Sequence, residues 1–285
     1  MADKKKRLST NVAGEFFVDS TCIDCDACRQ IAPYVFAEDG QYSAVKKQPG
    51  SSAEETAAWH ALLACPVGSI GCDGNNRAAE FAADFPLLVD GDVSYCGFNS
   101  RDSYGANSYF VVHPDGNWLI ESPRFVKTLA ERFEQMGGIK YIFLSHRDDV
   151  ADADKYAAHF GSKRIIHQTE LSAQPGSEIV LTGNEAQLLH DDFLVIPTPG
   201  HTIGHCVLLY KNKYLFTGDH LAWDREHNTL EAFKDYCWYS WDEQKISMKR
   251  LLDCSFEWVL PGHGQRVQLN AAEMKQSLAV LVGSM

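Results

Sequence analysis

The chain has 285 residues, 45% of them hydrophobic, and a formal net charge of −12. This composition supplies a normal core for one large domain or two unequal domains. The negative charge argues against a nucleic-acid surface, which would need clustered lysine and arginine. No run approaches the roughly 18 apolar residues of a membrane helix, so we expect no membrane partner.

Nine cysteines are many for a reducing compartment, and their number is odd. A disulfide framework would suggest secretion, but no apolar signal segment is visible ahead of the first predicted element. Cofactor ligation explains the cysteines better than disulfides do, so we expect a cytoplasmic or organellar-matrix setting. The basic run at residues 4–7 is expected to be a solvated, flexible terminus, with docking to an acidic partner as the alternative.

The first predicted domain spans residues 14–74 and is followed by a linker at 75–95. Its expected elements are strands at 15–19 and 42–47, a helical turn at 30–36 and a helix at 53–63. Ser51 or Ser52 is the expected N-cap of that helix. The turn at 73–76 marks the boundary, and the linker is expected to carry a short helix near 78–83.

Four cysteines in this domain have the spacing of a cluster site. Cys22, Cys25 and Cys28 are separated by two residues each, and Cys65 precedes a proline far downstream. Four thiolates can hold a [4Fe–4S] cluster, one per iron. Zinc is the alternative for such spacing, but zinc ribbons pair two Cys-x-x-Cys units rather than adding a third cysteine at the same gap. The segment resembles single-cluster bacterial-type ferredoxins over about 60 residues. The resemblance implies one low-potential cluster held by these four residues.

The second predicted domain, residues 96–285, alternates strands and helices. A hairpin is expected from strands at 109–112 and 118–120, joined by a Pro-Asp-Gly turn. Further strands are expected at 141–144, 164–167, 193–196, 206–210, 214–216 and 258–260. Helices are expected at 125–136, 152–160, 242–252 and 271–281.

Four of these strands are followed by a turn that carries histidine or aspartate. The residues are His146 and Asp148, then His201, Asp219 and His263. Turns of this kind can converge at one edge of a sheet, where imidazole and carboxylate groups make a site for iron, zinc or manganese. His205 and His220 adjoin the same turns and are expected to have structural roles.

This arrangement resembles the metallo-β-lactamase superfamily over roughly residues 96–285. The resemblance implies an α+β chain, in which a small ferredoxin-like domain is followed by an αβ/βα sandwich with one or two metals at the sheet edge. The family's first motif, His-x-His-x-Asp-His, is incomplete here. His146 matches its first position and Asp148 its second, but Val150 and Ala151 replace the last two.

The incomplete motif leaves the metal content open. The resemblance assigns His146, Asp148, His201 and Asp219 to one metal, all of them capable ligands. The second metal retains Asp219 and His263 only. One metal, two metals or none are therefore all possible outcomes. Two metals would require Asp149 or Asp152 to substitute by a shifted loop.

The pairing of a cluster with this pocket suggests redox chemistry. Flavodiiron members of the superfamily reduce oxygen or nitric oxide with flavin as the electron donor. In this chain a ferredoxin-like unit replaces that donor. We therefore expect electron delivery from the cluster to the metal site or to a bound substrate, with a redox protein or a small molecule as partner. The alternatives are a hydrolase of thioesters, phosphoesters or lactones with a structural or sensing cluster, and a non-catalytic electron-transfer or sensor protein. The aromatic segment 236–241 is expected to be a packing wall, with a pocket lid as the alternative.

Overall fold

The computed structural model describes residues 2–285, and the chain divides into two compact units. The first unit comprises the residues up to Lys140 together with Ala151–Gly161. The second comprises Tyr141–Val150 and Ser162–Met285. Within the described residues, no helix has the length and apolar character needed to cross a bilayer.

The first unit begins with a small α+β lobe. Its elements are the paired strands Phe16–Val18 and Ile70–Cys72, the hairpin Phe36–Asp39 with Tyr42–Val45, and the helices Ala27–Ile31 and Ser52–Ala64. The longer helix begins where the Ser51 side chain accepts a hydrogen bond from the Glu54 amide, which confirms one of the two predicted caps. The lobe packs around Trp59, which is almost fully buried against Phe16.

The basic run near the amino terminus is ordered, so the expectation of a flexible terminus is wrong. Residues Lys4–Lys6 form a 3-10 turn that Asp3 caps, and Lys4 pairs with Asp73 at 3.0 Å. The Leu8 amide donates to the Val18 carbonyl at 3.0 Å, which ties the segment to the first strand. Backbone pairing of this kind is invisible in composition, which shows only a polar, charged stretch.

The remainder of the first unit contains four antiparallel strands, each paired with the next along the chain. They are Leu87–Asp90, Val93–Tyr95, Tyr109–Val111 and Trp118–Ile120. The last pair is the predicted hairpin and is confirmed. The unit's other helices are Ala78–Ala82, Lys127–Gln135 and Ala153–Phe160, with a 3-10 turn at Arg101–Ser103. Residues 75–95 contain the expected short helix, but they also contain two strands where only a linker was expected. These strands are too short to show a clear period of two in sequence. The domain limits remain a prediction.

The second unit contains a parallel set and a mixed sheet. The parallel strands are Tyr141–Phe143, Lys163–His167 and Ile179–Leu181. The mixed sheet has, in order, Gln187–His190, Phe193–Pro197, Cys206–Tyr210, Tyr214–Gly218, Trp258–Pro261 and Val267–Gln268. A small hairpin joins Ala222–Asp224 to Thr229–Glu231. The helices are Trp241–Arg250 and Ala271–Ser284, with 3-10 turns at Gln168–Ala173, Lys234–Tyr236 and Leu251–Asp253.

The direction of the strands brings the predicted site turns to one edge of the mixed sheet. Tyr214–Gly218 and Trp258–Pro261 run parallel to each other. Phe193–Pro197 has the same direction, because Cys206–Tyr210 is antiparallel both to it and to Tyr214–Gly218. The carboxyl ends of these strands therefore lie at the same edge, and the turns that carry His201, Asp219 and His263 follow there.

Candidate metal and cluster sites

The four cysteines predicted as cluster ligands line a single cavity. Cys22, Cys25, Cys28 and Cys65 share it with small and branched apolar side chains and two serines. The apolar side chains are Val18, Ile23, Ala27, Val67 and Ile70. An apolar wall with four inward-facing sulfurs is the setting in which an iron–sulfur cluster is held and shielded from water.

Backbone amides point at two of the sulfurs. The Ser69 amide lies 3.3 Å from Cys65 Sγ, and the Ser43 amide lies 3.4 Å from Cys22 Sγ. Burial raises the pKa of the Cys25 thiol to about 12, and it raises the pKa values of Cys28 and Cys65 as well. Thiolates in this cavity therefore require a bound cation, and amide donors stabilise the negative charge of a cluster. The residues present fit a [4Fe–4S] cluster.

A loop of the first unit lies directly against the cysteine loop. Gly105 has a φ of +89°, and a Cβ added there would lie 2.7 Å from Cys25 Cβ and 2.9 Å from its Sγ. The Tyr104 hydroxyl donates a hydrogen bond to the Ile23 carbonyl at 2.5 Å. Only glycine satisfies both the left-handed backbone and the close approach at position 105. This contact is not predictable from the sequence, because an isolated Tyr-Gly pair has no recognisable pattern.

The second unit gathers the predicted metal ligands. His201 Nε2 lies 3.4 Å from Asp148 Oδ2 and 3.6 Å from Asp219 Oδ2. His146 Nε2 lies 3.7 Å from the same oxygen of each aspartate. Ligands that surround one ion with bonds of about 2.1 Å are separated from each other by about 3.4 Å in a tetrahedron. The observed spacing is close to that of a coordination shell, and most of these contacts are longer than a hydrogen bond.

A second group of ligand atoms shares Asp219 with the first. Asp149, Asp219 and His263 each present one atom within 4.8 Å of the other two. His263 Nε2 lies 3.6 Å from Asp149 Oδ1 and 3.9 Å from Asp219 Oδ2. Asp149 thus reaches the position left without a ligand by Val150 and Ala151. Two residues after Asp149, Ala151 adopts a φ of +34°. A non-glycine residue in this region marks a loop with unusual backbone geometry.

Asp152, the other candidate substitute, is engaged elsewhere. Its Oδ2 accepts a hydrogen bond from the Phe125 amide at 2.7 Å, and its Oδ1 pairs with Lys155 at 2.7 Å. The geometry therefore favours Asp149 over Asp152 as the additional ligand.

Several buried atoms in the two groups have no hydrogen-bond partner within residues 2–285. They are His146 Nε2, His201 Nε2, Asp219 Oδ1 and both carboxylate oxygens of Asp149. Leaving so many buried polar atoms unpaired is costly, and metal ions at the two positions would satisfy them. The residues present therefore fit one ion held by His146, Asp148, His201 and Asp219, and a second held by Asp149, Asp219 and His263.

The pKa values of the acidic residues in the pocket depend on their neighbours. The nearby imidazole of His201, whose Nε2 lies 3.4 Å from Asp148 Oδ2, lowers the pKa of Asp148. Burial acts to lower the pKa of His201, but Asp148 and Asp219 outweigh it and the pKa is raised. Asp149 behaves differently, because burial and the neighbouring Asp219 raise its pKa. Two carboxylates so close together favour a cation between them.

Hydrogen bonds from behind orient the ligands. The Ser145 hydroxyl lies 2.8 Å from His146 Nδ1, which directs Nε2 into the pocket. His205 Nε2 accepts a hydrogen bond from the Asp219 amide at 3.2 Å, and its Nδ1 contacts the Thr198 hydroxyl at 2.9 Å. Burial lowers the pKa of His205 and lowers that of His220 to about 3, so both are neutral. His205 supports the site through the backbone, as such second-layer contacts commonly do.

An ion pair that the sequence does not predict joins two ligand loops. Arg147 Nε pairs with Glu170, a fully buried residue whose Oε1 accepts a hydrogen bond from the Gly204 amide at 2.7 Å. Arg147 lies between His146 and Asp148, and Gly204 belongs to the turn that carries His201. No local sequence pattern predicts this ion pair, because Arg147 and Glu170 are 23 residues apart.

We expect Glu170→Gln to destabilise the protein by about 2 kcal/mol at neutral pH, because it weakens a charged hydrogen bond. Burial acts to raise the pKa of Glu170, but Arg147 and the Gly204 amide outweigh it and lower the pKa. Stability from such a group is present above its unfolded pKa and lost as pH falls through its folded pKa. The difference between wild type and variant in urea unfolding should therefore shrink below about pH 4. The exposed Glu226→Gln is the control, and a pH-independent difference would contradict the assignment.

The aromatic segment is not a packing wall. Tyr236, Trp238 and Tyr239 are all at least half exposed, and the Trp238 ring centroid lies 6.1 Å from that of His201. The amides of Trp238 and Tyr239 both donate to the His201 carbonyl at 3.0 Å. The segment thus fixes the backbone of one ligand and places exposed aromatic surface beside it.

Comparisons with known proteins agree with both predicted domains. Residues 18–72 match the family described as the 4Fe–4S single cluster domain of ferredoxin I, and residues 89–282 match the metallo-β-lactamase superfamily. Hydroxyacylglutathione hydrolase of Salmonella paratyphi C (strain RKS4594) is 33% identical over 128 residues, which are 43% of this chain and 50% of that protein. The same enzyme of Salmonella arizonae is 28% identical over 127 residues, with the same two shares. The chain spans about half the length of these curated relatives.

Solved structures show the same fold. DIM-1 metallo-β-lactamase, exposed to ceftazidime, has a TM-score of 0.53 at 19% identity and covers 69% of this chain and 95% of that one. TMB-1 has a TM-score of 0.52 at 17% identity, with the same coverage. The predicted α+β combination is confirmed. The chain belongs to the metallo-β-lactamase superfamily and carries a 4Fe–4S single-cluster ferredoxin domain ahead of the lactamase fold.

Proposed function

We propose that the protein is an oxidoreductase in which a dinuclear metal centre of the lactamase fold receives electrons from the ferredoxin domain. The observation that carries this proposal is the donor set of the pocket. Three carboxylates, from Asp148, Asp149 and Asp219, stand beside three imidazoles, and Asp219 belongs to both ligand groups. Replacement of imidazole by carboxylate makes the pocket richer in oxygen, which favours iron or manganese over zinc.

The bound metals would supply one-electron chemistry at the open side of this pocket. The chain's residues determine where that side is. The side chain of Asp148 is 45% exposed and that of His263 is 25% exposed, whereas His146 is fully buried. A small substrate therefore approaches past Asp148 and His263. Ser145 and His205 keep the buried ligands oriented while this occurs.

The second candidate is a metal-dependent hydrolase with a structural or sensing cluster. The curated relatives favour it, because they are hydroxyacylglutathione hydrolases. A bound metal would there polarise a carbonyl and activate water. The hydrolase leaves the cluster domain without a part in the reaction, and for that reason we place it second.

One anaerobic experiment separates the two candidates. Holoprotein purified without oxygen is analysed for iron, zinc and manganese, reduced with dithionite, and mixed with dioxygen or with a generic thioester. The redox proposal expects iron or manganese beyond the cluster's share, together with rapid reoxidation that depends on the pocket. Zinc in the pocket with thioester turnover, unchanged by the redox state of the cluster, would replace it with the hydrolase.

The metal count tests the role of Asp149. We expect Asp149→Ala to lower the content of pocket metal from two ions per chain to one, because it removes the buried carboxylate that faces His263. Asp152→Ala is the matched control and should leave the count at two. Metal analysis by mass spectrometry, normalised to protein, makes the measurement. Two ions in the Asp149 variant, or one in the Asp152 variant, would reverse the assignment of the loop.

A further inference from the structure

An arginine of the first unit reaches the segment that carries the last cluster cysteine, and it has no carboxylate partner. The Arg124 guanidinium donates a hydrogen bond from Nη2 to the Leu63 carbonyl at 3.2 Å, two residues before Cys65. Other arginines of this unit, such as Arg29 and Arg77, pair with aspartate or glutamate at 2.6 Å and 2.7 Å. Within residues 2–285, no carboxylate lies within 4.0 Å of the Arg124 guanidinium, the limit for an ion pair.

Arg124 is partly buried and is fixed in position by its neighbours. Its Cζ lies 5.9 Å from the ring centroid of Phe98, a buried residue whose carbonyl accepts a hydrogen bond from the Arg124 amide at 3.0 Å. The Tyr156 hydroxyl donates to the Arg124 carbonyl at 3.2 Å. The Nε atom of Arg124 is buried and has no hydrogen-bond partner in the described part of the chain. A cation held in this way acts strongly on nearby charges, because little water screens it.

The negative charge that acts on Arg124 at neutral pH is that of a cluster ligand. Burial lowers the pKa of Arg124, and the charges that act to raise it are those of Cys65 and Tyr156. Burial raises the pKa of the Tyr156 phenol, so that group is uncharged at neutral pH. Cys65 ligates as a thiolate, and a [4Fe–4S] cluster on four thiolates is an anion. The bound cluster therefore provides the negative charge that a partly buried guanidinium requires.

We propose that Arg124 compensates the charge of the reduced cluster and makes its reduction potential less negative than the four cysteines alone would set it. Reduction transfers one electron from a one-electron donor to the cluster, and no bond forms or breaks. The electron adds one negative charge, so Arg124 stabilises the reduced cluster more than the oxidised cluster. The inference deepens the proposed redox function and rests on its electron-accepting cluster, but it does not require electron transfer to the pocket.

A purely structural role of Arg124 would give a different result. Leu63 lies in the last turn of the helix Ser52–Ala64, where a positive charge near the carbonyl groups stabilises the helix. Loss of this contact alone would lower the stability of the protein and leave the reduction potential of a bound cluster unchanged. The reduction potential therefore distinguishes the two roles.

The test is a potentiometric titration of holoprotein with dithionite, followed by visible absorbance and by electron paramagnetic resonance of the reduced cluster. Arg124→Gln is expected to make reduction at least 10-fold less favourable, which is a shift of 59 mV or more to negative potential for one electron. Arg124→Lys retains the charge and should keep most of the wild-type potential. Lys46→Gln is the control, because it removes an exposed cation that does not line the cluster cavity. It should change the equilibrium by less than about 2-fold, since water and salt screen an exposed charge.

Equal potentials in the wild type and in fully loaded Arg124→Gln would overturn the proposal. So would an equal shift in Arg124→Lys and Arg124→Gln, which would assign the effect to packing rather than to charge. If Arg124→Gln does not retain its cluster, Arg124→Met is titrated in its place, because methionine keeps most of the apolar stem. Retention of the cluster by Arg124→Lys alone would support the compensating charge, whereas loss from all three variants would assign Arg124 to a structural role.

The same proteins separate this inference from the proposed function. A cluster that shows the expected shift but passes no electrons to the pocket would refute the proposed function and leave the role of Arg124 standing. A cluster that passes electrons to the pocket with the same potential in wild type and Arg124→Gln would do the reverse.

Discussion

Replacing Asp219 with alanine is expected to empty both metal positions of the lactamase fold. Its Oδ2 lies within 3.9 Å of an imidazole nitrogen from each of His146, His201 and His263, and no other residue belongs to both ligand groups. Metal-dependent turnover should fall on the order of 10³-fold, since several kcal/mol of charge stabilisation disappear with the ions. Elemental analysis should show the pocket metals lost and the four cluster irons retained.

The control for this variant is Asp224→Ala, a change in the nearby hairpin. Asp224 pairs with His227 at 2.5 Å and belongs to neither ligand group. The Asp224→Ala variant should retain the metal content of the wild type. The assignment fails if Asp219→Ala binds as much metal as the wild type, and it also fails if the cluster irons leave together with the pocket metals.

Replacing Gly105 with valine is expected to expel the cluster while its four ligands remain intact. The added Cβ would overlap Cys25, and the φ of +89° is strained for any residue with a side chain. Overpacking of this kind costs about 1–3 kcal/mol, and the backbone adds about 1 kcal/mol more. The visible absorbance of the cluster per chain should fall by at least half, and its loss on exposure to air should accelerate.

Gly40→Ala isolates the backbone part of this effect. Gly40 also has a positive φ, of +63°, but nothing lies within 4 Å of the position its Cβ would take. This variant should lose about 1 kcal/mol of stability and keep its cluster. If both variants lose the cluster equally, the contact with Cys25 is not what Gly105 provides.

The spacing of the residues allowed the cluster ligands and most of the metal ligands to be predicted from the sequence. Cys22, Cys25 and Cys28 form a compact repeat, and His201, Asp219 and His263 each follow an apolar strand, so both patterns identify themselves locally. The cofactor domains follow from such patterns, and the family comparisons agree with them.

Features that depend on tertiary contacts could not be predicted from the sequence. Whether Asp149 or Asp152 faces His263 depends on how a short loop is shaped, and that shape includes a positive φ at Ala151. The pairing of Arg147 with Glu170 joins loops 23 residues apart. The ordered basic run depends on backbone pairing with Val18. In each case the decisive partner is distant in sequence, and no periodicity reports it.

The chain passes between the two units more than once, which restricts where it can be divided into separately expressed fragments. Tyr141–Val150 belongs to the second unit, yet the residues on either side of it, Lys140 and Ala151, belong to the first. Three of the six candidate ligands, His146, Asp148 and Asp149, therefore lie on a ten-residue segment of the second unit. Both ends of this segment continue directly into the first unit, which carries the cluster. A cut after Gly161 separates these three ligands from His201, Asp219 and His263, and a cut after Lys140 removes the four antiparallel strands that begin at Leu87. A graft of a different electron-carrier module would have to be joined ahead of the strand that begins at Leu87, well upstream of this crossing.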